Sequence, residues 1–171
     1  FISASTPTGN FITVSGSSYM EGFTVYTPTD DSAALYFDDS TAGIVTSFHN
    51  IHFKGSSTDS PPLGKGLVFT DNVNWPPPGP GKIIFSELRY AGGNLDKLVE
   101  VNNGIFALDG MHVPGGGTIN TAVQVNGGRA QMINVNNGNA ACGIALSVSG
   151  TSSNKPTVAG FGFNIFNVPT G

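Results

Sequence analysis

The sequence predicts an all-β chain wound as a parallel β-helix, a solenoid of about six coils with loops inserted at its corners. Three observations carry this expectation. One hexapeptide pattern recurs six times, a second pattern recurs six times between its copies, and the composition favours strands and turns.

The first pattern is apolar, any residue, small turn-former, apolar, any residue, apolar. In chain order it reads Met20-Glu21-Gly22-Phe23-Thr24-Val25, Phe48-His49-Asn50-Ile51-His52-Phe53, Phe85-Ser86-Glu87-Leu88-Arg89-Tyr90, Leu108-Asp109-Gly110-Met111-His112-Val113, Met132-Ile133-Asn134-Val135-Asn136-Asn137 and Val158-Ala159-Gly160-Phe161-Gly162-Phe163. The copies start 23 to 37 residues apart, a period that marks stacked supersecondary units. The second pattern is apolar, any, apolar, small polar, then a residue tolerant of positive φ. Its copies are Ile12-Thr13-Val14-Ser15-Gly16, Leu35-Tyr36-Phe37-Asp38-Asp39, Leu67-Val68-Phe69-Thr70-Asp71, Val99-Glu100-Val101-Asn102-Asn103, Val123-Gln124-Val125-Asn126-Gly127 and Leu146-Ser147-Val148-Ser149-Gly150.

Alternation of period two within each pattern specifies a strand, and the small polar pairs supply tight corners at little steric cost. A two-strand unit of this size cannot bury its apolar edge alone. Stacked in register, each strand bonds its equivalent about 4.8 Å away and the inward residues form continuous columns. β-branched strands and frequent glycine oppose helix. The middle residues of the first pattern, Gly22, Asn50, Glu87, Gly110, Asn134 and Gly160, are expected at a bend, where stacked Asn side chains can hydrogen-bond along the axis. Glu87 is the exception in that column. Asn137 departs from its apolar column.

Insertions lengthen two corners. Gly55-Ser56-Ser57-Thr58-Asp59-Ser60-Pro61-Pro62 leaves the second coil, and Asn74-Trp75-Pro76-Pro77-Pro78-Gly79-Pro80-Gly81 separates Phe69 from Phe85. Solenoid insertions map to loops that carry binding surfaces, and the proline run is a stiff spacer between phased coils.

Residues 1–171 are long enough for one domain with a sizeable core. Charged residues make up 11% of the chain, well below the usual share, while 39% is apolar and Phe contributes 12 residues, so the profile is not that of a disordered chain. A net charge of −4 and seven scattered basic residues provide no stripe for phosphates, so nucleic acid is not an expected partner. No apolar run approaches the roughly 18 to 20 residues of a membrane helix, so no membrane association is expected. The single cysteine, Cys142, reads as a small core residue. A chain opening on Phe1 rather than Met is expected to be a segment of a longer one.

With these ladders the sequence resembles the right-handed parallel β-helix superfamily, the pectate-lyase-like solenoids that include plant-cell-wall lyases, polygalacturonases and the shafts of phage tailspikes and other viral fibres. The likeness spans roughly residues 11 to 168 and implies a single-stranded, right-handed coil. It leaves function open, because one coil pattern hosts lyases, hydrolases, epimerases and purely structural shafts. For the spike and fibre members it implies a homotrimer, or continuation by further coils of the same chain, at a virion surface or otherwise extracellular.

Polygalacturonase-like members use several Asp on one face with a nearby His, and pectate-lyase-like members use carboxylate-held calcium and an Arg base. On an enzymatic reading the candidates here are Asp38, Asp39, Glu87, Arg89 and His52. Asp38-Asp39 are fully accounted for as corner residues, and Asp30-Asp31 as a connecting turn, and adjacent carboxylates on a turn seldom flank one glycosidic bond. No EF-hand loop, His/Cys metal cluster or nucleophile elbow is present, and neither metal nor cofactor is expected.

The outward positions of the first pattern hold more. Thr24, His52, Arg89, His112, Asn136 and Gly162 should form one column, with Glu21, His49, Ser86 and Asp109 beside it. This is either the polar outside of a sheet or a shallow groove for a glycan or protein receptor. In the second case His49, His52, Arg89, Asp109 and His112 are the binding residues and Trp75 or Tyr36 the stacking platforms. Crowded basic groups should lower the histidine pKa values unless Asp109 or Glu87 compensates. The preferred expectation is a non-catalytic structural or attachment domain. The exposed strand edges at Phe1-Ile2-Ser3-Ala4 and Asn164-Ile165-Phe166-Asn167-Val168 should need a cover.

Overall fold

In the computed structural model every described apolar repeat is a strand, and each strand pairs in parallel with its equivalent one coil away. The described residues are 9–39, 45–57, 62–71, 82–113, 116–137, 141–151, 155–162 and 164–165. Fourteen strands follow in order: β1 (Ile12–Val14), β2 (Tyr19–Glu21), β3 (Thr24–Tyr26), β4 (Ala33–Asp39), β5 (Val45–Lys54), β6 (Lys65–Asp71), β7 (Lys82–Tyr90), β8 (Gly93–Val101), β9 (Ile105–His112), β10 (Gly117–Val125), β11 (Arg129–Asn137), β12 (Ala141–Val148), β13 (Thr157–Phe161) and β14 (Asn164–Ile165). Among the described residues there is no helix.

Two sheets result. One, called the even-numbered sheet after its strands β4 to β12, runs β1-β4-β6-β8-β10-β12, and the other runs β13-β11-β9-β7-β5-β2, with β3 on β5 and β14 on β11. The chain thus climbs as a β-solenoid of about five turns, fewer than the six pattern copies, because the outermost copies form only short strands such as β1, β2 and β3.

The second pattern holds its register throughout: Leu35 pairs with Ile12 and Leu67, Val99 with Leu67 and Val123, and Val123 with Leu146. Its inward columns, and those of the first pattern, form one continuous core that includes Phe37, Phe69, Phe48, Phe85, Leu88 and Met111. Identical side chains at equivalent positions must stack, so Phe48 lies over Phe85 with centroids 4.6 Å apart and planes at 17°, and Phe37 meets Phe69 at 5.1 Å. Such pairs add to the burial of their area.

Three expectations need correction. In the last coil Met132 pairs with Gly160 and Asn136 with Asn164, so the bend residue there is Gly162 (φ 73), not Gly160, and Asn164 takes the register position expected of Gly162. Centred on Gly162 the copy opens on Gly160 rather than on an apolar residue, so the pattern points to Gly160 and the backbone ladder selects Gly162. At the corners after β8 and β10 the left-handed residues are Gly104 (φ 89) and Gly128 (φ 73), one place beyond Asn103 and Gly127. The axial ladder of polar side chains also stands at this corner rather than at the bend. Asn102 donates to Thr70 Oγ1 (3.1 Å), Asn126 donates to Asn102 Oδ1 (2.8 Å), and Ser149 Oγ and Gln124 Nε2 both donate to Asn126 Oδ1 (2.8 Å each).

Both insertions lie partly or wholly outside the described residues. Ser56 of the first makes an antiparallel bridge to Asn94, and the proline-rich one, with Trp75, is not described. After it β7 resumes in phase, Phe85 against Phe48. At the end of the even-numbered sheet Ile144, Leu146 and Val148 are exposed. Of the two segments expected to need a cover, Asn164–Ile165 pairs with β11 and Phe1-Ile2-Ser3-Ala4 lies outside the described residues.

Candidate functional site

The bend in the first pattern positions the site. Asn50, Glu87 and Asn134 adopt φ of 52, 59 and 55, and Gly22 and Gly110 adopt 69 and 81. This left-handed step lets the residue before it and the residue two after it both face outward while their neighbours stay in the core. Parallel register then builds two columns. One is Thr24, His52, Arg89, His112 and Asn136; the other is Glu21, His49, Ser86, Asp109 and Ile133. Successive members stand about 4.8 Å apart along the axis. His49, His52 and Ser86 are half-buried, whereas Glu21, Glu87, Arg89, Asp109 and His112 are exposed.

Local contacts hold several of these groups. His52 Nε2 lies 3.0 Å from Asn50 Oδ1, Arg89 Nη2 lies 3.5 Å from Glu87 Oε2, Asn134 Nδ2 donates to Asp109 Oδ1 at 3.3 Å, and the Tyr19 hydroxyl donates to Glu21 Oε2 at 2.7 Å. The Glu87–Arg89 pair is too exposed to add much stability, but it orients the guanidinium across the strip. Burial, and then the Arg89 charge in the next coil, hold His52 below the ordinary imidazole range, so it favours the neutral form at pH 7. His52, Arg89 and His112 are therefore neighbours, with His49 and Asp109 in the adjoining column.

Asp38 and Asp39 stand elsewhere, on β4 of the other sheet, in register with Thr70 and Asp71. The five residues of the enzymatic reading are thus divided: His52, Glu87 and Arg89 on one sheet, Asp38 and Asp39 on the other. Tyr36 is also on that other sheet, between Thr13 and Val68. Asp30 accepts from the Gly9 and Ser32 amides at 2.9 and 3.2 Å, and these bonds, the Gly9 bond foremost, hold its carboxyl below the usual range. Cys142 is buried, and burial pushes its thiol up. Among the described residues no three His, Cys, Asp or Glu side chains are grouped to hold a metal ion.

A second polar cluster was not anticipated. Lys65 and Lys97 are register partners on the even-numbered sheet. The Glu100 carboxylate reaches both ammonium groups, at 3.4 and 3.3 Å, through its Oε2, which makes no directed hydrogen bond. Asp31 pairs with Lys65 at 2.8 Å, Asp96 pairs with Lys97 at 3.0 Å, and Asn120 donates to Asp96 at 2.9 Å. Burial alone would lower Lys97, but Asp96 and Glu100 more than offset it and its pKa is raised. The signal was legible: Lys65 and Lys97 each stand two residues before the first apolar position of their copy, so stacking makes them adjacent and in need of an anion.

No family model, no curated protein and no solved structure matches this chain.

Proposed function

We propose that the chain is a non-catalytic structural and attachment domain, a rigid β-solenoid segment of a spike, fibre or other surface protein, virion-borne or extracellular, that presents its outward strip and corner loops to a glycan or protein receptor. One observation carries this reading: the register that aligns His52, Arg89 and His112 in a column, with Glu21, His49, Ser86 and Asp109 alongside. Each of these side chains rises from a strand whose alternate residues are locked in a continuous core. A flat row of hydrogen-bonding groups on a rigid frame loses little entropy on binding. Of the carboxylates in the enzymatic reading, Asp38 and Asp39 are on a different sheet from Glu87, so they do not face one bond with it as hydrolysis requires. Further coils of the same chain, or partner subunits in a trimer, would continue the shaft.

A glycan array, followed by assay of the bound glycans for new reducing ends and unsaturated products, tests the proposal. Binding without turnover, weakened by Arg89→Ala, is the expected result. Turnover that disappears in Glu87→Gln or Arg89→Ala would overturn it in favour of a polysaccharide lyase or hydrolase.

A further inference from the structure

The strip has a charge balance that depends on its histidines. Around His49, His52 and His112 stand Glu21 from β2, Lys54 at the end of β5, Glu87 and Arg89 from β7, and Asp109 from β9. The neighbouring residues of β11 are the neutral Ile133, Asn134 and Asn136. Lys54 is drawn over the Tyr26 ring, 5.4 Å from its centroid. Lys82 and Arg129 begin β7 and β11, at the far ends of those strands. With neutral imidazoles the strip holds two cations, Lys54 and Arg89, against three carboxylates, Glu21, Glu87 and Asp109. With three imidazolium groups it holds five cations against three carboxylates. Its sign inverts.

The cations are also aligned. His52, Arg89 and His112 occupy one column at a spacing of about 4.8 Å, comparable to the length of one sugar unit, and His49 flanks the first of them on the same strand. Such a row matches a linear chain bearing one acidic group per unit, laid along the solenoid axis, since protonated imidazoles and guanidinium all form charge-assisted bonds to sulfate or carboxylate. Uncharged sugars gain nothing from the inversion.

We infer that this strip is the binding site for an anionic polysaccharide running parallel to the axis, occupied when the histidines are protonated and repelled when they are neutral. The inference rests on the attachment reading and names its ligand class. The depressed protonation of His52 agrees with it: the proton that burial, and then Arg89, discourage in the free protein becomes more favourable once an anion lies across both groups.

The test is binding of dextran sulfate, polygalacturonate and uncharged dextran to the whole chain at about pH 8 and about pH 5.5, the lower value chosen because burial and Arg89 hold His52 below the ordinary imidazole range. Both values lie above the sequence pI of 5.1, so the molecule as a whole remains acidic. Affinity for dextran sulfate should rise about tenfold or more on acidification, a change of roughly 1.4 kcal/mol. The gain should vanish in the triple variant His49→Gln, His52→Gln, His112→Gln, and Arg89→Ala should weaken the binding seen at the acidic pH. A matching rise with polygalacturonate supports a site for either acid group, and a rise confined to dextran sulfate supports a site for sulfate. An equal acid gain in the triple variant would overturn the inference. Binding of uncharged glycans that is indifferent to pH, yet lost in Arg89→Ala, would also overturn it while leaving the attachment reading intact. Cleavage of any of these chains would overturn the attachment reading itself. Thermal unfolding of each variant confirms that it folds.

Discussion

Glu87, at φ 59, stands directly against Gly110 of the next coil, its Cγ 3.8 Å from the point that a Cβ on Gly110 would occupy. Left-handed conformation costs an ordinary L-residue roughly 1 kcal/mol or more, and less for Asn. Glu87→Asn should therefore stabilise the chain by about 0.5 to 1 kcal/mol, while releasing Arg89 from its 3.5 Å partner. Gly110→Ala meets only ordinary contacts but must hold φ 81; it should cost about 1 kcal/mol, lowering Tm by roughly 2 to 4 °C. Thermal melts of the two variants, expected to move in opposite directions, check both.

Gly117 presents a harder case. It holds φ 137, and a Cβ there would collide with the Gly93 carbonyl oxygen and the Tyr90 hydroxyl. Tyr90 is buried, donates to Gly93 O, and has its phenol pushed up to about 12 by burial. Backbone cannot retreat as a side-chain tip can, so Gly117→Ala should cost at least about 3 kcal/mol. Urea denaturation would show it as a fall in midpoint far exceeding that of Gly110→Ala.

Glu100→Gln removes the shared anion between Lys65 and Lys97, whose side chains are only 12% and 19% exposed. Two poorly solvated ammonium groups in adjacent coils would then repel, at a cost of about 2 to 4 kcal/mol. Pairing Glu100→Leu with Lys97→Met should cost less than the sum of the single changes, which a double-mutant cycle by urea denaturation measures.

His52 contributes an acid-sensitive element of stability. Its folded pKa lies below the ordinary imidazole value of 6.5, so the unfolded chain takes up the proton first as pH falls. The stability associated with neutral His52 is complete above that ordinary value and is lost as pH drops through the folded one. His52→Gln should flatten this part of the pH profile in thermal melts. Arg89→Ala should raise the His52 pKa in an NMR titration, but only partway, because burial is the larger cause.

Much of the fold is legible in the sequence. Period-two alternation decides which side chains face inward, and two alternating patterns imply two faces of one coil, so Phe48 over Phe85 and Leu67 beside Val99 follow from the spacing alone. The outward columns were legible for the same reason, and His52, Arg89 and His112 are register partners as their positions in the repeat require. The last coil was not. Gly160-Phe161-Gly162 offers two glycines two residues apart, a shift that preserves alternation, and only the hydrogen-bonded ladder to β11 chooses Gly162.

By itself the sequence determined the strands, their inward faces and the parallel stacking, because these depend on local period and on burial of repeated apolar positions. The tertiary structure alone decided which corner residue turns left-handed, where the Asn ladder runs, and that Glu100 lies between two lysines. The Asn ladder joins residues 23 to 32 positions apart and Glu100 meets Lys65 of the preceding coil, contacts that the chain makes only when it coils.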